Sequence, residues 1–412
     1  MTLRPIVIAF AAALIAGCGG SQGALMQPSS GAFANSAVHS LTSNYRRLFD
    51  FDHKDGYAPN GDLVAHHGAL YGAAQGGQSS TCRSYEGCGV IFRVTPGGAE
   101  KVLYAFGGES LGAFPTGPLT YFWGNLYGTT QNGGTCFGHC GMIYSYSLAK
   151  STLTTLYRFT GNADGKYPSS GLTLLDGVLY GTTEEGGHGH CREGCGTVFA
   201  IAPFGGKLTT LYRFTGGSDG SDPGSLVALD GTLYGIVHGG GGTACTYGCG
   251  GIFSVTRSGT ERMVYEFKGG ADGEDPSAIV RNGSGFYGAT AGGGASSNGT
   301  VFTLTTSGKE TVLYSFPDAQ SDGSEPNSLT LLNGVLYGTT LAGGSDDLGT
   351  LFSLTSSGGE SVLHDFTGDP DGKYPHGGLT ELNGVYYGVT SHGGTFGDKA
   401  SEGLGTIYRY KP

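Results

Sequence analysis

GVLYGTT occupies Gly177 to Thr183 and returns letter for letter at Gly334 to Thr340. A Tyr-Gly pair after apolar residues begins at Tyr71, Tyr127, Tyr180, Tyr234, Tyr287, Tyr337 and Tyr387, at intervals of 56, 53, 54, 53, 50 and 50 residues. Seven copies at so even a spacing mark a repeat architecture, in which each unit buries its faces against its neighbours. Each copy contains four runs of alternating, β-branched and aromatic residues; the fifth shows them in order as SAIVRN, GFYGAT, GTVFTLT and ETVLYSF. Such runs, punctuated by glycine, read as strands. Asp-Gly or Asn-Gly joins the first two runs at Asp176, Asp230, Asn333 and Asn383, and both residues of that pair accept the positive φ of a tight hairpin turn. Four antiparallel strands per copy predict an all-β protein, a seven-bladed β-propeller of four-stranded antiparallel blades.

The phase of the repeat predicts how the ring closes. YRRLFDF (Tyr45 to Phe51) matches the fourth run of a copy, whereas the last run, GTIYRY (Gly405 to Tyr410), matches the third. The N-terminal strand therefore completes the last blade as its outermost strand and leaves no unpaired interior edge. The domain reading is a signal over residues 1–17, a lipidated cysteine and flexible tether over 18–44, and the propeller over 45–412.

Composition agrees with many short strands. The 412 residues include 81 glycines without a G-x-y period, and 38% are apolar, which excludes collagen and argues against disorder. A formal charge of −11 with no basic stretch excludes nucleic acid as a partner. The copies, joined end to end, call for no second chain, so a monomer is expected.

The composite L-Y-x-F-x-G-x-x-D-G-x-x-P, L-Y-G-T-T-x-x-G-G and G-T-V-F-x-L resembles the bacterial GloVer tandem repeat, across all seven copies. That resemblance implies surface display through one of several anchors and brings no activity with it. A looser likeness to kelch blades rests on blade length and paired glycines, although the usual kelch tryptophan is missing: Trp123 is the only Trp in the chain. The N-terminus suits a surface anchor. Arg4 precedes an apolar run from Ile6 to Ala16, too short to span a bilayer, and Ile15-Ala16-Gly17-Cys18 follows. This resembles the lipobox of bacterial lipoproteins, which implies a lipid on Cys18 and, with Gly19 rather than Asp next, attachment to the outer membrane or cell surface. Residues 19–40 are small and polar, as a tether requires.

If the repeat is structural, function belongs where copies differ. Strand order puts the first-to-second and third-to-fourth turns on one face, and the second-to-third loops and blade crossings on the other. The latter are longer and more varied. Cys82/Cys88, Cys136/Cys140, Cys191/Cys195 and Cys245/Cys249 all fall in second-to-third loops and read as four local disulfides of an exported protein. The rival reading is metal, with His188 and His190 joining Cys191 and Cys195. The crossings carry Asp-Gly-x-x-Pro at Asp55, Asp164, Asp219, Asp272, Asp322 and Asp371. Asp-Gly forms turns; as a ring of charge, Asp164, Asp219, Asp272, Asp322 and Asp371 are also candidate binding residues for a cationic or hydroxyl-rich ligand such as a glycan, peptide or envelope protein. Further acids stand nearby at Asp222, Asp275 and Glu325. Calcium needs six or more oxygens, and the stretches Asp50, Asp52 and Asp55 and Asp369 with Asp371 come nearest to supplying them; no other cofactor is indicated.

Catalytic signals are sparse, with no H-E-x-x-H pair and no phosphate-cradling glycine loop. The first strands line the central channel, where His66, Arg281 and Glu381 replace the usual small or apolar residues. His66 with Glu381 across the junction of blades 1 and 7 is the acid–base pair to look for. The reading is a lipid-anchored binding module; its alternatives are a structural envelope lipoprotein, or an envelope hydrolase or lyase with its site at the channel mouth.

Overall fold

The computed structural model describes residues 44–77, 82, 87–108, 111–136, 140–240, 245, 248–396 and 403–412. The signal, Cys18 and the tether lie outside the described residues. Seven antiparallel sheets follow one another in chain order, as the repeat predicts. The last blade contains Lys373–Pro375 with Thr380–Leu382, then Val385–His392 and Thr406–Tyr410, and takes Tyr45–Asp50 as its outer strand. Tyr45 pairs with Tyr410, Arg47 with Tyr408 and Asp50 with Thr406. The polypeptide therefore closes its ring with a hydrogen-bonded ladder inside a blade.

The structure explains the repeated wording of GVLYGTT. In the third blade Val178–Thr183 is the second strand. Leu179 and Tyr180 are buried between blades. At Gly181 an added Cβ would lie 2.5 Å from Cζ of Phe199 on the third strand, so only glycine leaves room for that ring. Thr183 meets Thr197 of the third strand through their hydroxyls at 2.9 Å, and Thr340 meets Thr350 in the same way at 3.0 Å. These pairs satisfy fully buried polar atoms.

Blade packs on blade through one aromatic joint used seven times. The phenylalanine that follows each outer strand stands edge-on to the third-strand ring of the next blade: Phe51 to Phe92, Phe106 to Tyr144, Phe159 to Phe199, Phe214 to Phe253, Phe267 to Phe302, Phe316 to Phe352 and Phe366 to Tyr408, with centroids 5.0 to 5.3 Å apart. Edge-to-face pairs add about 1 kcal/mol each to the area they bury.

A second joint lies nearer the channel. The residue before each inner-strand proline has φ between 50° and 56° (Ala58, Phe114, Tyr167, Asp222, Asp275, Glu325 and Tyr374). Its N–H donates to the carbonyl just before the third strand of the preceding blade, for example Asp222 to Cys195 at 3.1 Å and Glu325 to Asn298 at 3.1 Å. The proline then seats on the glycine after that carbonyl; a Cβ at Gly299 would fall 2.5 Å from Cδ of Pro326. Left-handed backbone before proline is disfavoured. It is held here by neighbours on both sides.

The blades are not all equal. Between that proline and the next buried leucine, or isoleucine in blade 5, blades 7, 1, 2 and 3 carry one more residue than blades 4, 5 and 6. The inner-strand register already shifts here in blades 4, 5 and 6, and in blade 2 the extra residue widens the bulge. Gly377, Gly61 and Gly117 there approach the backbone of the next blade closely, each Cβ position lying within 2.6 Å of a neighbouring main-chain atom.

Candidate functional site

The crossing aspartates bind their own blades. In each case the carboxylate sits over the end of the preceding outer strand and accepts from it. Asp164 accepts from the Tyr157 hydroxyl at 2.9 Å and from Thr160 N–H at 2.8 Å; Asp219 does the same with Tyr212 at 2.9 Å and Thr215 at 2.8 Å. Asp272 takes Tyr265 and Lys268 N–H, and Asp322 takes Tyr314 at 2.7 Å. In Asp371 the tyrosine is replaced by His364, 2.8 Å away. Asp164, Asp219, Asp272, Asp322 and Asp371, the residues that the sequence offers to a ligand, thus use their oxygens to fasten each crossing to the strand before it.

The four cysteine pairs are disulfides: Cys82–Cys88, Cys136–Cys140, Cys191–Cys195 and Cys245–Cys249, with Cα atoms 5.5, 5.7, 5.2 and 5.1 Å apart. All four pairs lie between the second and third strands of their blades, as expected, but the second member of each is buried. Cys88 and Cys140 are completely buried, and Cys195 and Cys249 nearly so. Cys88 packs in one core cluster with Phe106 and Met142, and Cys140 in another with Phe159 and Phe199. The reason is their position just before the third strand, where the backbone joins the next blade: the Cys88 carbonyl accepts from Phe114 N–H at 2.9 Å, and that of Cys140 from Tyr167 N–H at 3.2 Å. Each disulfide therefore ties a loop to the seam between blades, and neither Cys88 nor Cys140 is available to a ligand.

The bond from Cys191 to Cys195 removes both thiolates from the expected metal set, and His188 and His190 are exposed beside it. Among the described residues the one trio with ligand atoms within 4.8 Å of one another is Cys245, Cys249 and Glu274, whose sulfurs are likewise bonded to each other. Asp50, Asp52 and Asp55 do not converge. Asp50 pairs with Arg47 at 3.1 Å and accepts from Thr395, while Asp52 accepts the backbone N–H of Lys54 and Asp55.

The channel candidates also separate. Glu381 caps its own hairpin by accepting Gly384 N–H at 2.6 Å, and Arg281 donates to the Gly283 carbonyl at 3.1 Å. His66 stacks on His67 and on Tyr121 at 3.9 and 4.0 Å. All three lie at the tight-turn end of the inner strands, and no described hydrogen bond or ion pair joins them.

What the structure does assemble is a cleft on the long-loop face over blades 4, 5 and 6, the three whose inner strands are one residue shorter. It encloses about 1110 Å³, and its lining includes Asp222, His238, Glu274, Asp275 and Glu325. Asp222, Asp275 and Glu325 are the left-handed residues that open the three inner strands, so the cleft adjoins the channel mouth. The disulfides at Cys191 and Cys245 form part of its wall. No lysine or arginine is among its described lining residues.

His238 stands on the second strand of blade 4 (Thr232–Gly239), with Nδ1 2.7 Å from a carboxylate oxygen of Asp275. Burial in the concave wall favours the neutral ring, but the hydrogen bond to Asp275 and the charges of Asp222, Asp275 and Glu184 outweigh it, and the imidazole is held above its ordinary pKa. Burial raises Asp222 and Glu184 within the same wall. The site is an acidic concavity whose carboxylates favour protonation of the one histidine among its described lining residues.

The sequence pointed to Asp222, Asp275 and Glu325 but not to His238, which occupies a second-strand position that the other blades fill with Gln75, Gln131, Glu184, Ala291, Leu341 and Ser391. Its signal was the break in the repeat, where GIVHGG stands for the usual GTT-x-x-GG.

The Gloeobacter/Verrucomicrobia repeat profile matches residues 13–246 and 241–412. The chain belongs to this repeat family. No curated protein matches it. Among solved structures this repeat propeller is similar to virginiamycin B lyase from Staphylococcus aureus, at 16% identity and a TM-score of 0.59, over 89% of this chain and 99% of that one. It is similar also to a chain described as the extracellular domain of a hybrid two-component system from B. thetaiotaomicron, at 9% identity and a TM-score of 0.56, over 89% of this chain and 39% of that one. At these identities the likeness is one of fold.

Proposed function

We propose that this repeat propeller is a non-catalytic binding module, and that the cleft over blades 4 to 6 receives a positively charged segment of a partner protein. The observation that carries the reading is the concavity of about 1110 Å³ with Asp222, Asp275 and Glu325 at its rim. A low-dielectric wall lined by one sign of charge concentrates the opposite sign at its mouth. Propeller and repeat both fit a scaffold that varies its loops while keeping its blades.

A lysine-rich peptide of about ten residues, long enough to cross the cleft, is the probe. Calorimetric titration is expected to show saturable binding that weakens as salt rises, and Asp222→Asn with Asp275→Asn is expected to reduce affinity about tenfold. Unchanged affinity in the double variant sinks the reading. Chemical turnover of the bound probe, lost in His238→Ala, would instead support a lyase or hydrolase built on the His238–Asp275 pair.

The proposal includes a lipid on Cys18 that holds the module at the outer membrane, a reading supported by the Ile15-to-Cys18 sequence. Labelled palmitate is expected to enter the wild-type protein and to be absent from Cys18→Ser. An unlabelled wild type would remove the anchor and leave the cleft untouched.

A further inference from the structure

The tight-turn face, opposite the cleft, carries a strip of rings that neither the joints nor the cleft uses. In the hairpin of blade 2, Tyr121-Phe122-Trp123 stands where blades 3, 4, 6 and 7 have leucine followed by Asp or Asn. Trp123 is 73% exposed, and Phe204, on the third-to-fourth turn of blade 3, is 74% exposed. Phe122 stacks on Trp123 at 5.0 Å with planes 13° apart, and Trp123 reaches Phe204 at 6.2 Å. On the other side Tyr121 stacks on His66, which stacks on His67. Six rings thus run across blades 1, 2 and 3.

Trp123 is also placed against its conformational preference. Its φ is 45°, at the turn position that Asp176, Asp230, Asn333 and Asn383 fill in other blades with φ of 50° to 57°. Asn and Asp tolerate this region; for a bulky residue it is strained. The turn is locked around it: Gly124 N–H donates to the Tyr121 hydroxyl at 3.2 Å, and Asn125 Nδ2 donates to the Trp123 carbonyl at 3.0 Å. A strained, rigid turn that holds an indole in water does nothing for folding.

We infer that this strip is a binding site for a neutral β-linked oligosaccharide, whose pyranose rings lie on Trp123 and Phe204. Equatorial hydroxyls leave both faces of such a sugar lined by C–H groups, flat and the size of an aromatic ring. Two fully exposed side chains supply about 400 Å² at most, half of what each side of a stable protein interface needs, so a second copy or a folded partner is a poor occupant. On neighbouring turns of the same face the exposed pair Arg257 and Asp176, 2.8 Å apart, offers donors and acceptors to sugar hydroxyls. Small ligand sites combine these two elements, apolar rings and a few polar groups.

Because Trp123 is the only tryptophan, its emission reports the site directly. Titration of the full-length protein with cellohexaose is expected to give a saturable blue shift. Phe204→Ala is expected to weaken that response about tenfold, and Trp123→Ala to abolish binding followed by calorimetry, both with unchanged thermal midpoints since both side chains are exposed. Asp222→Asn with Asp275→Asn should leave the response intact, which separates this site from the cleft. An absent or unsaturable shift overturns the inference. So does a response that follows the cleft variants, one that appears with protein concentration alone, or one that only lipid vesicles produce.

Discussion

Deleting residues 44–50 from the full chain is expected to abolish the cooperative thermal transition. Those residues supply the outer strand of blade 7, and with it the strand ladder that closes the ring. The Tyr45 ring stacks on His364 at 3.5 Å and packs against Phe366 and Tyr408. Removing one buried aromatic from a core costs about 3–5 kcal/mol. Losing the whole strand also strips partners from Ile407 and Tyr408 and exposes an unpaired edge. The sum reaches the whole stability of an ordinary domain, about 5–15 kcal/mol. Differential scanning calorimetry should show no single sharp transition, and an added peptide spanning residues 43–52 should restore it. A deleted chain that melts at the wild-type temperature would mean that blade packing alone closes the ring.

The second large effect concerns pH. Glu100, Glu261, Glu310 and Glu360 open the outer strands of blades 1, 4, 5 and 6, half-buried at the seam with the preceding blade. Burial pushes each of them up to about 7, helped by Asp55, Asp219, Asp272 and Asp322 respectively. One oxygen of each, Oε1, is buried without a hydrogen-bond partner. A carboxyl whose folded pKa lies above its unfolded value, 4.5 here, binds its proton more tightly in the folded state. Its contribution is complete below about 4.5 and is lost as pH rises through about 7. Each glutamate therefore weakens the fold at pH 8. Half-exposure screens the effect to about 1 kcal/mol apiece. Replacing all four by Gln is expected to raise the midpoint at pH 8 by roughly 5 °C and to flatten the slope between pH 4.5 and 7. A variant whose midpoint falls in parallel with the wild type over that window refutes the assignment.

The blade count, the tight turns, the closing strand and the pairing of the cysteines were all readable, because each depends on a local pattern that the repeat displays several times. The burial of Cys88 and Cys140 was not, since it follows from the next blade closing over the start of the third strand. The engagement of the crossing aspartates also escaped, although its trace is in the letters. Tyr157 precedes Asp164 by seven residues, and Tyr212, Tyr265 and His364 stand at the same distance before Asp219, Asp272 and Asp371. A hydroxyl seven residues upstream gains meaning only once the crossing is known to fold back over the outer strand. His238 was missed for a different reason. It occupies a strand that the repeat marks as framework, and its partner Asp275 belongs to the next blade, 37 residues on. The catalytic pairing of His66 with Glu381 failed because each side chain had a closer partner within its own hairpin or next door.

The seven edge-on phenylalanine contacts have a mechanical consequence. Their centroid separations differ by only a few tenths of an ångström around the circle, so this contact sets no seam apart from another. A partner that docks on either rim meets a stiff frame, and whatever adjustment it induces must be taken up by the loops alone.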